Sequence, residues 1–62
     1  MKEEVINYLI SLRESIVFSI DNILYDDITH SLTFNELQQI DHLRNKIAQI
    51  DNFIKFLEKE GN

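Results

Sequence analysis

The stretch Thr29-His30-Ser31-Leu32-Thr33-Phe34-Asn35-Glu36-Leu37 decides the fold, because it settles whether the chain forms one long helix or two. Thr33-Phe34-Asn35-Glu36 has the form of a capping box. The Thr hydroxyl can accept from the backbone N–H three residues on, and the Glu carboxylate can accept from the Thr N–H in return. Leu32 and Leu37 stand at the two positions whose apolar contact closes such a start from outside. Both signals predict a fresh helix at Thr33. The alternative is a continuous helix of about 55 residues, since no Gly or Pro in this stretch forces a turn. The polar run before Thr33 and a change of phase between the flanking apolar patterns favour the break.

Downstream of that start, Ile40, Leu43, Ile47, Ile50, Ile54 and Leu57 are spaced 3, 4, 3, 4, 3. Such spacing is a strict a/d seam, the most regular feature of the chain. Arg44, Lys46, Asp51, Glu58 and Glu60 flank it as solvated positions. Gly61, the single glycine, follows where a helix C-cap favours one, and Lys55 and Lys59 suit the negative end of the helix dipole.

Upstream, the apolar residues form two neighbouring stripes at helical spacing. Val5, Leu9, Leu12, Ile16, Ile20 and Ile23 make one; Ile6, Ile10, Val17, Leu24 and Ile28 make the other. Together they cover nearly half the circumference, wider than the roughly 100° arc of an ordinary surface helix. The run Ile16-Val17-Phe18 is rich in strand formers, but the helical period continues on both sides of it. The reading is therefore all-α: an antiparallel helical hairpin with helices at about 3–28 and 33–60 and a turn at about 29–32. A helix of about 25 residues is roughly 38 Å long, so the two match in length.

Two helices bury one stripe each against the other, and the first helix has two. A lone hairpin of this size also faces an ordering cost of roughly 1.5 kcal/mol per residue. With no Cys to form a staple, the expected solution is a homodimer in which two hairpins form a four-helix bundle. The alternative is assembly with an unrelated chain.

Composition narrows the function. The 62 residues carry 6 Lys+Arg against 11 Asp+Glu, a net charge of −5, which disfavours non-specific binding to nucleic acid. The absence of Cys excludes disulfide and thiolate-metal scaffolds. The acids in Met1-Lys2-Glu3-Glu4 are unlike a secretory leader, and no run of about 18 apolar residues offers a membrane span. A cytoplasmic protein is expected.

Catalytic chemistry has little to stand on. A single Gly cannot build a phosphate loop, and no Ser, His and Asp fall at a telling spacing. Asp26, Asp27 and His30 have helical spacing, but hard cations want more oxygen ligands than these offer. They read as a solvated helix end, and His42 reads as a surface residue. No enzyme, cofactor or metal site is expected.

Binding has more. Phe18 and Tyr25, seven residues apart, fall on the face opposite the stripes, with Glu14 and Asp21 beside them. Aromatic rings on a polar, acidic face resemble anchors within a polar rim and suit a basic protein surface. The alternative is that they are core in a rotated or larger bundle. Phe53 flanks the seam and reads as core, and Phe56 reads as closing the bundle end. Arg13, between the stripes, reads as a side chain that covers apolar surface with its stem, or as an ion pair with an acid of a neighbouring subunit's second helix.

The plan resembles the Rop class of plasmid copy-number proteins, an architectural likeness that implies a dimeric bundle; the acidic first helix departs from an RNA-binding surface. Tyr8-Leu9-x-x-Leu12-Arg13 and Leu32-Thr33-x-Asn35-Glu36-Leu37 resemble the pattern of the Hha/YmoA nucleoid-associated regulators over about 30 residues. Asp41-His42 stands about four residues early for that family, and its aromatic-rich C-terminal segment is not evident. In shape the hairpin is also similar to the small co-chaperones of type III secretion. The expected function is a small acidic helical module that binds another protein as inhibitor, adaptor or co-chaperone. The alternatives are a dimeric nucleic-acid-associated regulator and a purely structural assembly module.

Overall fold

The computed structural model describes residues 1–26 and 31–60, without the side chain of Asp26. It contains two helices, α1 (Lys2–Asp26) and α2 (Phe34–Glu60). The expected C-cap at Gly61, the first half of the expected turn, and the Asp26, Asp27 and His30 group lie outside the described residues.

The start of α2 is built as its sequence predicts. The Thr33 N–H donates to Glu36 Oε1 at 2.8 Å, and the Glu36 N–H donates to Thr33 Oγ1 at 3.1 Å. Two N–H groups that the first turn would leave without a helical partner are thereby satisfied. Thr33 is the cap residue: its carbonyl accepts the first helical bond, from the Leu37 N–H at 3.0 Å. Met1 plays the same part for α1, accepting from the Val5 N–H at 3.1 Å, with Glu3 and Glu4 in the first turn where the dipole favours acids.

The helices lie side by side. End to end they would span about 80 Å at 1.5 Å per residue, whereas the molecule measures 48 × 15 × 11 Å. The seven residues between α1 and α2 reach at most about 25 Å, too short to run back along a helix of roughly 38 Å, so the two helices run antiparallel, with Arg13 of α1 meeting Asp51 of α2. The radius of gyration is 14.6 Å, against about 11 Å for a compact chain of this length.

Burial follows the heptad on both helices. In α2, Ile40 is buried and Leu43, Ile47, Ile50, Ile54 and Leu57 are half-buried, the row the sequence predicts. In α1 the shielded row is Ile6, Leu9, Arg13, Ile16, Ile20 and Ile23. This corrects the two-stripe reading. The facing row draws from both stripes and runs through Arg13, while Val5 and Leu12 fall on one side of it and Ile10 and Leu24 on the other, all exposed. The core is thin. Leu9 at 8% and Ile40 at 9% exposure are the buried apolar residues, and among the described residues no side chain is fully enclosed. Phe53, expected in the core, is 49% exposed, and Phe56 is 55% exposed. The physical reason is that both lie off the row α1 can reach.

Candidate interaction surface

Arg13 orients the molecule. Its Nε lies 2.8 Å from Asp51 Oδ1, with both side chains about two-fifths exposed. The Nε atom is itself shielded from water, yet it makes no hydrogen bond of good geometry, so the contact is an ion pair rather than a directed bond. The Arg13 guanidinium pairs with an acid of α2, as the ion-pair reading expects, but within the same chain rather than across to a neighbouring subunit.

That pair shows how the helix flanks meet. Arg13 sits in the facing row on the side of Ile10, Val17 and Leu24, and Asp51 belongs to the flank of α2 that also carries Leu37, Arg44 and Glu58. These flanks therefore border the same side of the two-helix plane, the ion-pair face. The opposite flanks carry Val5, Leu12 and Ser19 on α1 and Gln39, Lys46, Phe53 and Glu60 on α2, and they border the neutral face. The rows next outward add Tyr8 and Phe56 to the neutral face, and Phe34 to the ion-pair face, by the same heptad spacing.

Charge divides sharply between the two. The ion-pair face and its outer rows carry six acids (Glu3, Glu14, Asp21, Asp41, Asp51, Glu58) against Arg13, Arg44 and Lys55, a balance of −3. Among the described side chains the neutral face carries Lys46 and Glu60, which cancel.

Phe18 and Tyr25 lie on neither face. They occupy the row of α1 farthest from α2 and are 66% and 72% exposed. Glu14 and Asp21, also exposed, each stand four residues before one of the rings. Residues four apart are neighbours on a helix surface, so the sequence Glu14, Phe18, Asp21, Tyr25 forms one outward strip alternating acid and ring. Such a strip can seat a ring in an apolar pocket while a carboxylate meets a cation at its rim, and the Tyr25 hydroxyl can donate or accept. Its backbone lies within α1, which ends at Asp26. Ser19, on the neutral-face side, turns its hydroxyl back to the Ser15 carbonyl at 3.1 Å.

His42 is exposed on α2, and among the described residues no group of three His, Cys, Asp or Glu is placed to hold a metal ion. No described helix is long and apolar enough to cross a membrane. Sequence reading missed Tyr8 and Leu12 as surface residues beside Phe53 and Phe56. The signal was present: reading the α1 heptad through Arg13 would have placed both Tyr8 and Leu12 off the facing row. No known family matches the chain, and neither a curated protein nor a solved structure matches it.

Proposed function

We propose that this chain is a small acidic protein–protein interaction module, working as a homodimer of hairpins packed into a four-helix bundle. It acts as an inhibitor, adaptor or co-chaperone by holding another protein with a basic surface. The observation that carries the reading is the exposure of Phe18 and Tyr25 on the outward row of α1, between Glu14 and Asp21. Single exposed apolar residues are ordinary. Two large rings one heptad apart on a polar strip contribute almost nothing to hairpin packing, and they fit the aromatic-anchor pattern of binding sites. The thin core supports association, since a chain this small gains most of its missing burial from a second copy.

The test is a variant with Phe18→Ser and Tyr25→Ser. Its melting temperature and assembly mass should stay close to wild type, while affinity for the partner captured by the wild-type chain should fall by about 2 kcal/mol or more. Removing Glu14 and Asp21 should slow association with that basic partner and flatten its salt dependence. A captured nucleic acid with a steep loss of binding in salt would overturn the reading in favour of a nucleic-acid regulator. A double variant that melts far lower or loses its dimer would show that the rings belong to the core.

A further inference from the structure

We propose that the second copy of this chain seats on the neutral face, through Val5, Tyr8 and Leu12 of α1 and Phe53 and Phe56 of α2. The proposal rests on the homodimer reading above and goes beyond it by naming the surface. All five residues are exposed. The half of α1 that begins the chain lies beside the half of α2 that ends it, so the five gather at the end of the hairpin away from the turn. Three aromatic rings of roughly 150–250 Å² each, left about half exposed or more, put on the order of 300 Å² of ring surface in water at this end.

Three observations select the occupant and the face. The first is area. The hairpin exposes 5085 Å², against about 4200 Å² for a compact monomer of its mass. The excess of about 900 Å² is close to the roughly 800 Å² that each partner contributes to a standard interface.

The second is charge. Each copy carries −5, so two copies repel unless the surfaces that meet are the uncharged ones. Among the described side chains the ion-pair face holds −3 of that charge and the neutral face balances to zero. A second copy is therefore turned away from one side and tolerated on the other.

The third is desolvation. Covering the ion-pair face would bury Arg13 and Asp51, now about two-fifths exposed, together with Arg44 and Glu58. Taking such charges out of water carries a penalty that imperfect pairing does not repay, and the Arg13 Nε already lacks a well-directed bond. The neutral face asks for less, since Lys46 and Glu60 are the charges among its described side chains. A two-fold dimer places this patch against itself, as an isologous interface requires. It also leaves the Phe18 and Tyr25 row on the outside of the bundle.

The experiment uses the full chain. Light scattering of the wild type should give about twice the 7.4 kDa chain mass. Spin labels then go singly at Gln49→Cys, on the neutral side, and at Ala48→Cys, on the ion-pair side, in a chain with no other Cys. Both positions are exposed and lie at the same height. As concentration rises through dimer formation, the label at 49 should become immobilised and the label at 48 should not. Tyr8→Glu combined with Phe56→Glu should weaken self-association about 30-fold or more, the equivalent of losing an anchor. Should that variant fail to fold, the two labels still decide. A monomeric wild type overturns the homodimer reading and this proposal with it. A dimer in which the label at 48, both labels or neither is immobilised overturns the face assignment and leaves the homodimer standing. A folded Tyr8/Phe56 variant that dimerises normally also overturns the face assignment.

Discussion

The two helices of the hairpin are of similar length and complete their packing to very different degrees. α2 places six aliphatic residues, Ile40 to Leu57, in one facing row and flanks them mainly with Gln, Lys, Arg, Asp and Glu. Four of its large apolar residues stay exposed, three of them rings. α1 has seven exposed large apolar residues in a shorter helix, distributed on both sides of its facing row and on the row behind it. It also sets a charge, Arg13, inside the row where α2 has only apolar residues between Ile40 and Leu57. The contrast teaches that α2 comes closer to a finished partner than α1 does. What remains uncovered, more of it on α1 but including Phe53 and Phe56 of α2, is the part of the sequence available for binding something else.

The comparison breaks first if the α2 seam is not what holds the hairpin. Ile47→Asp puts an unpaired charge at the middle of that seam, a burial that costs several kcal/mol against a stability that a thin core leaves small. The helical circular dichroism signal should collapse at 25 °C. A Leu12→Asp change on the exposed flank of α1 should leave far more of it at the same dilute concentration. Equal loss from the two would erase the distinction between seam and flank.

A smaller effect sharpens where α2 begins. Thr33→Ala removes one of the two reciprocal cap bonds and should cost about 1 kcal/mol, read as a lower melting temperature at fixed protein concentration. If a single helix ran through this segment, the change should be neutral or slightly stabilising, because Ala is the better helix former. A melting temperature that rises would therefore favour the continuous helix.

The smallest effect concerns the charge that α1 carries in its facing row. A double-mutant cycle with Arg13→Ala and Asp51→Ala should give a coupling of about 0.2–1 kcal/mol, the range for pairs that water still reaches. The coupling should shrink between 0.05 and 0.5 M salt, taken here as roughly a threefold change in Debye length. A coupling well above that range would mean that the pair is buried in the working assembly, and that the second copy covers the ion-pair face after all.

Much of this was legible along the chain. The capping box at Thr33 and the 3, 4, 3, 4, 3 seam of α2 are local patterns, and local patterns carry the helix start and the helix face with little help from the rest of the molecule. The position of Phe18 and Tyr25 on the face opposite the apolar stripes was legible for the same reason, but whether a rotated or larger bundle buries them was not. The face of α1 was not. Val5, Leu9 and Leu12 make as regular a stripe as Ile6, Leu9 and Arg13, and apolarity alone prefers the first. Choosing between them requires knowing how α1 is rotated about its own axis.

The sequence by itself determined that this protein is two helices, where the second one starts, and which residues of α2 face inward. Each of those is decided by hydrogen bonds and periodicities spanning no more than a few turns. The tertiary structure decided the rotation of α1, the pairing of Arg13 with Asp51 within one chain, and the separation of a charged face from a neutral one. Those depend on where the flanks of two helices meet across the hairpin, and no spacing within either helix encodes that meeting.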